Sequence, residues 1–206
     1  MVSDYRFRAI TQTSEKPAVQ ASLDWNTDSG FYVGAWGSQI KYEGGDTDFE
    51  LDTRAGFSKA ISENWAVDFG VVRYNYFPRG TDNFDFNEYY AGMSFKNTSL
   101  TFWYADDWAN SGIAGKYIEA NTSFPLPRDF SFNVHAGYSW GDYWEEYDAD
   151  YVDYYVELSK PIGNWSLSLR WEDSSAKLKR SLDCKDFCDG QVVAILSYNF
   201  PIGGKR

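Results

Sequence analysis

Phe130, Phe132, Val134, Ala136 and Tyr138 alternate with Ser131, Asn133, His135 and Gly137. A period of two sorts apolar from polar side chains onto opposite faces only when the chain is extended. The pattern recurs in Val19, Ala21, Leu23 and Trp25 against Ala18, Gln20, Ser22 and Asp24, and in Trp165, Leu167, Leu169 and Trp171 against Ser166, Ser168, Arg170 and Glu172. It returns in Ile118, Ala120, Thr122 and Phe124 against Tyr117, Glu119, Asn121 and Ser123. Twelve strands are predicted: Tyr5–Gln12, Ala18–Asn26, Phe31–Tyr42, Phe49–Ala60, Trp65–Tyr76, Phe84–Lys96, Leu100–Ala105, Tyr117–Phe124, Phe130–Trp140, Tyr151–Lys160, Trp165–Glu172 and Gln191–Phe200. Phe31–Tyr42 carries apolar residues on both phases, so the pattern assigns it no face.

The connections alternate in length. Thr27–Gly30, Ser62–Asn64, Asn97–Ser99, Pro125–Asp129 and Pro161–Asn164 are short, whereas Asp106–Lys116, Gly141–Asp150 and Asp173–Gly190 are long. Long loops therefore collect at one end, with tight turns and both termini at the other, the layout of an outer-membrane barrel with an even strand number. The aromatic residues divide the same way. Trp25, Trp65, Phe95, Phe102, Phe124, Phe130, Trp165 and Phe200 sit beside short turns or the C-terminal end, and Tyr42, Tyr76, Phe84, Tyr104, Tyr117, Trp140, Tyr151 and Trp171 beside the longer loops. Two interfacial belts are expected. The last strand ends on Tyr198-Asn199-Phe200, an aromatic finish of the kind outer-membrane assembly machinery reads, and is expected to pair back to Tyr5–Gln12 with Pro201–Arg206 trailing behind it.

Composition supports a membrane barrel over a membrane helix. Aromatics make up 19% of the chain, yet the mean hydropathy is −0.52 and no apolar run approaches the ~18 residues of a spanning helix. The fold expected is all-β: one domain, residues 1–206, forming a single 12-stranded antiparallel transmembrane barrel of a Gram-negative outer membrane, both termini periplasmic. No signal peptide is visible, and Met1-Val2-Ser3 reads as an initiator on a mature sequence whose export signal has been removed. Its partners would be outer-membrane lipid and lipopolysaccharide, the barrel-assembly machinery, and small solutes or cations. A net charge of −11 argues against nucleic acid, whose phosphates need clustered Lys and Arg.

Cys184 and Cys188 are the only cysteines, and their spacing suits a disulfide closing a small loop in an oxidising compartment. A metal site is disfavoured because the one histidine, His135, lies far away in sequence. The acidic loop Asp142–Asp150 lacks a calcium-ligand frame, so no cofactor is expected.

Tyr5-Arg6-Phe7-Arg8-Ala9-Ile10-Thr11-Gln12-Thr13, then Pro17-Ala18-Val19-Gln20 and Gly30-Phe31-Tyr32-Val33-Gly34-Ala35-Trp36-Gly37-Ser38, resemble the TorF-type porins of proteobacteria. The likeness is strongest over the first forty residues. It implies an outer-membrane location and a barrel fold more firmly than any substrate.

With the apolar phase on lipid, the other phase carries Arg6, Arg8, Arg54, His135 and Arg170 together with Asp24, Glu50, Asp52, Asp68, Glu88, Glu119, Asp153, Glu157 and Glu172. Four arginines against nine carboxylates leave −5 in the lumen, and the loops of the outer end add −9, with −3 in Glu43–Asp48, −1 in Asp106–Lys116, −5 in Asp142–Asp150 and the other three cancelling. Buried charges of both signs should pair, because an isolated one is costly. The surplus favours a passive channel for small solutes or ions with a preference for cations. Arg6, Arg8, Arg54 and Trp36 would narrow it further if they point inward. A non-conducting barrel for adhesion, binding or envelope assembly is the alternative. An enzyme is less expected: Gly-x-Ser-x-Gly is absent, and His135 shares its face only with residues such as Asn133 and Ser131.

Overall fold

The structure is a computed structural model that describes residues 1–42, 45–78, 83–175, 178 and 184–200. Pro201–Arg206 and parts of the loops at 43–44, 79–82, 176–177 and 179–183 lie outside the described residues. The alternating segments form strands β3 (Gln20–Asn26), β4 (Phe31–Gln39), β5 (Phe49–Ala60), β6 (Trp65–Phe77), β7 (Phe86–Phe95), β8 (Thr98–Ala105), β9 (Gly115–Pro125), β10 (Ser131–Trp140), β11 (Tyr151–Ile162), β12 (Trp165–Ser174) and β13 (Gln191–Tyr198). Each pairs antiparallel with the next in one eleven-stranded sheet running in chain order from β3 to β13. No described helix is long and apolar enough to cross a membrane.

The two edges of this sheet meet at three residues. Val2 bridges Ala18, just before β3, and Ile195 in β13. Val2 and Ala18 exchange backbone hydrogen bonds of 3.0 Å each. On the other side the Met1 ammonium donates to the Leu196 carbonyl at 2.8 Å, Leu196 N–H donates to the Met1 carbonyl at 2.9 Å, and Ser3 N–H donates to the Ala194 carbonyl at 2.9 Å. Met1–Ser3 thus occupies the seam where Tyr5–Gln12 was expected.

That expectation is corrected: Tyr5–Gln12 is no wall strand. Its strands β1 (Arg6–Phe7) and β2 (Ile10–Thr11) pair only with each other, as a hairpin apart from the main sheet. The chain reverses at Arg8 and Ala9, both in the left-handed region at φ 51° and 61°. The interior offers this segment what lipid cannot. Arg6 and Arg8 find carboxylates, and Phe7 packs against Tyr74 and Trp108, with ring centroids 5.9 and 6.3 Å away. Tyr5 lies edge-on to Trp36 at 5.1 Å, which explains why β4 is apolar on both phases: Tyr32 and Trp36 turn inward while Phe31 and Val33 are exposed outside.

Outside, Leu23, Phe69, Met93, Val156, Leu167, Leu169, Val192 and Leu196 are exposed around the sheet. Such a band of large apolar side chains requires an apolar solvent. Beside the short turns the expected belt is present, with Trp25, Trp65, Phe95, Phe124 and Trp165 all exposed. Towards the long loops the expectation is half corrected. Trp171 and Phe84 are exposed, but Tyr76, Tyr117 and Tyr151 are buried, and Tyr138 and Tyr154 face outward instead.

The buried core gathers at the long-loop end. Trp108, in the short 3-10 turn Trp108–Asn110, packs with Phe86 and with Trp144 of helix α1 (Asp142–Glu146), joined by Ile40, Tyr74, Leu178 and the Cys184–Cys188 disulfide. That disulfide joins the N-cap of helix α2 (Lys185–Cys188) to its last residue, in the connection from β12 to β13.

Two outcomes follow from this layout. Leu169→Arg, in the middle of β12 on the exposed phase, should destabilise the barrel in bilayers by roughly 2–4 kcal/mol, read from urea titration in lipid vesicles. Cys184→Ser with Cys188→Ser should leave the barrel's thermal transition nearly unmoved, because the ring spans only four positions. The same double variant should speed proteolytic cutting between β12 and β13, since so short a ring constrains little chain elsewhere.

Candidate pore and its charged wall

The interior is built in tiers. At the long-loop end the hairpin is clamped by its two arginines. Arg8 donates both of its contacts from one nitrogen to the two oxygens of Glu88, at 2.9 Å each, and the Tyr74 hydroxyl donates to the same carboxylate at 2.9 Å. The Arg8 guanidinium also lies 3.9 Å from the Tyr117 ring centroid, and Tyr151 donates to the Arg8 carbonyl at 3.1 Å. Both partners are almost fully enclosed, the Arg8 side chain 6% and the Glu88 side chain 0% exposed. Charge pairing, hydrogen bonding and cation–π contact together are what such burial demands.

Arg6 is as tightly held. Its Nε lies 2.7 Å from Glu172 and its Nη1 3.2 Å from Asp4, while its Nη2 donates to the carbonyls of Ala9 and Asp189 at 2.7 and 2.9 Å. Asp4 in turn accepts from the Thr11 and Thr13 hydroxyls, at 2.5 and 2.9 Å, which ties the base of the hairpin together. Arg170 continues the network downward: it pairs with Glu157 at 2.8 Å and Glu172 at 3.6 Å and lies 4.1 Å over the Tyr155 ring.

Below the hairpin lies a cavity of about 220 Å³ bordered by Arg6, Arg8, Trp103, Glu119, His135 and Asp153. His135 stacks on Tyr155 at 4.6 Å and is held at both nitrogens, Nε2 near Asp153 (2.9 Å) and Tyr117 (3.1 Å), Nδ1 near Asn121 (2.8 Å). Glu119 accepts from Trp103 Nε1 at 2.9 Å and from Asn121 at 3.1 Å. Nearer the short turns, Arg54 pairs with Asp24 at 2.5 Å, and Asp68 accepts from the Tyr32 hydroxyl at 2.7 Å, with the Tyr90 hydroxyl in contact. Gly56 and Gly70, opposite each other on β5 and β6, make this possible, because a Cβ at either would run into the Tyr32 or Tyr90 ring.

Among the described residues the four inward arginines are all engaged with carboxylates. No Lys or Arg among them pairs with Glu50, Asp52, Asp68, Glu119 or Asp153, and Glu50 and Asp52 each keep a buried carboxylate oxygen without a hydrogen-bond partner. The inward charge of the described residues is therefore two populations, a set paired with arginines and an acidic set without a Lys or Arg partner. The described residues hold no cluster of three metal-ligand side chains. Strand parity already placed Tyr117 with Glu119 and Asn121, so its inward position was available to sequence reasoning. Tyr155 carried the same signal, lying between Asp153 and Glu157 on one phase, whereas Trp103, on a strand with no charged residue, carried none.

Residues 1–200 match the model of a family described as a bacterial protein of unknown function, Gcw_chp. The chain belongs to this family. No curated protein matches it. Among solved structures, this Gcw_chp chain is similar to a KdgM porin at 11% identity and a TM-score of 0.62, covering 89% of this chain and 92% of that one. A NanC porin matches at 8% identity and a TM-score of 0.64, covering 89% and 93%, and a KdgM porin in complex with disordered oligogalacturonate at 11% and 0.59. At these identities the likeness is one of fold, the outer-membrane β-barrel of small porins.

The paired set has a measurable signature. Arg170→Met removes the partner of Glu157 and should cost on the order of 3 kcal/mol in unfolding free energy, since a mostly buried carboxylate is left uncompensated. Adding Glu157→Gln should recover more than half of that loss in the same denaturant titration.

Proposed function

We propose that the protein is an outer-membrane channel for passive diffusion of small solutes or ions, with a preference for cations. The observation that carries this reading is the division of the inward charge: every described inward arginine is engaged, while among the described residues five inward acidic side chains have no Lys or Arg partner. A net negative wall of low dielectric lowers the energy of a passing cation and raises that of an anion. The exposed apolar band, the porin fold and the TorF-type resemblance of the first forty residues support the location. Lipid and lipopolysaccharide would meet that band, both termini would lie in the periplasm, and the strand ending in Tyr198-x-Phe200 would be the segment offered to the assembly machinery.

His135 serves this channel as part of a polar network rather than as a catalytic base. Its nitrogens are taken by Asp153, Tyr117 and Asn121, not by a serine, threonine or cysteine nucleophile. A second reading, a non-conducting barrel acting in adhesion, binding or assembly, is favoured by one feature. The hairpin and the aromatic cap fill the long-loop half of the interior.

The test is the reversal potential across planar bilayers in a salt gradient. Its sign should report cation preference. Asp68→Asn with Glu119→Gln should move it toward zero; Asp24 is left alone because its charge is already offset by Arg54. Neutralising Asp142–Asp150 instead should matter mainly at low salt, because exposed charges are screened over ~10 Å at 0.1 M and ~3 Å at 1 M. Anion preference would mean that the arginines control the constriction, and absence of current in every variant would leave the binding or assembly reading.

A further inference from the structure

We propose that the hairpin from Asp4 to Thr13 is a displaceable plug of this channel, and that the Arg8–Glu88 pair is the latch that keeps it shut. The proposal rests on the channel reading above and adds to it the state in which the structure is found.

Three observations carry it. The hairpin lies inside the barrel but outside its ladder: among the described residues its one backbone hydrogen bond to the wall is Lys41 N–H to the Gln12 carbonyl, at 2.7 Å. All its other described polar contacts with the barrel use side chains, chiefly Arg6, Arg8, Tyr42 and Tyr151. Withdrawing it would leave the β3–β13 sheet intact, because among the described residues its two short strands form a ladder only with each other.

Its turn is also under conformational load. Arg8 and Ala9 sit at φ 51° and 61°, a region that favours glycine, and an L side chain is held there only when its surroundings compel it. At Arg8 the compelling contact is Glu88, an enclosed carboxylate reached from 80 positions earlier in the chain. Phe7, wedged against Tyr74 and Trp108, is the apolar half of the same clasp.

The tether is suited to movement. Met1–Ser3 and Ala18 fix both ends of the segment in the seam, and Gln12 N–H donates to the Tyr5 carbonyl at 2.6 Å, closing the base below the mobile arm. The arm between those points can therefore swing without opening the wall. When it leaves, Glu88 and Glu172 lose Arg8 and Arg6, so opening would add negative charge to the lumen. Conductance and cation preference should rise together, which a rigid filter would not produce.

The experiment compares three proteins in planar bilayers, after electrophoresis with and without heating shows that each is folded. They are the full chain, Glu88→Gln, and a variant in which Arg6–Thr11 is replaced by two glycines joining Tyr5 to Gln12. Glu88→Gln leaves the unpaired charge on the arm, where it can follow the arm into water. The full chain should pass little current, with brief openings. Glu88→Gln should open several-fold more often, and the glycine variant should pass a steady current with a more cation-selective reversal potential. Equal current in the full chain and the glycine variant would overturn the plug while leaving the channel reading in place. A rise on hairpin removal alone, with Glu88→Gln unchanged, would overturn the latch. No current from the folded glycine variant would overturn both the plug and the channel on which it rests.

Discussion

Backbone N–H and C=O groups facing hydrocarbon have no water to turn to, so a sheet in a membrane must have no open edge. Eleven strands laid side by side still leave two. Here the edges are joined by Met1–Ser3, whose backbone bonds Ala18 on one side and Ala194 and Leu196 on the other. The economy of this seam shapes everything inside. Because three residues complete the wall, the following segment is free to turn into the interior while remaining fixed at both ends.

The interior around the hairpin is packed, and the packing obeys two rules that pull against each other. Charges taken from water need partners, while the space between strands favours large flat rings. Arginine satisfies both at once. Arg8 pairs with Glu88 and lies on Tyr117, and Arg170 pairs with Glu157 and lies on Tyr155. A lysine at either position could match the charge but not the planar stacking. Glycine completes the arrangement from the neighbouring strand: Gly137 on β10, which pairs with β9, gives the Tyr117 ring the room a methyl group would take, which keeps that ring over the Arg8 guanidinium.

The wall was legible in the sequence because lipid imposes a strict period of two, and the strands at Phe130–Trp140 and Trp165–Glu172 stand close to where that period puts them. The disulfide and the alternation of short turns with long loops were legible for similar reasons of spacing and polarity. Tyr5–Gln12 was misread because alternating Arg6, Phe7 and Arg8 satisfies the wall pattern as well as it satisfies an interior hairpin. What separates the two is a turn at Arg8 and Ala9 containing no glycine, asparagine or proline to announce it. Tyr76 and Tyr151 were misplaced for a related reason. Tyrosine at the end of a strand fits a lipid interface or a buried hydroxyl network equally, and here the loop core claims both.

In the channel we propose, the same residues bear on structure and on passage, and this couples the two. Each arginine that neutralises a carboxylate removes it from the field a solute would feel, so the hairpin would both obstruct the lumen and subtract from its negative charge. The carboxylates it does not pair, Asp68, Glu119 and Asp153, lie on β6, β9 and β11, the latter two lining the cavity. A barrel whose interior charges were all matched would be more stable but indifferent to the sign of a solute. The surplus left on those strands is costly in a low-dielectric wall, and in the proposed channel electrostatic discrimination among solutes would give that cost a physical use.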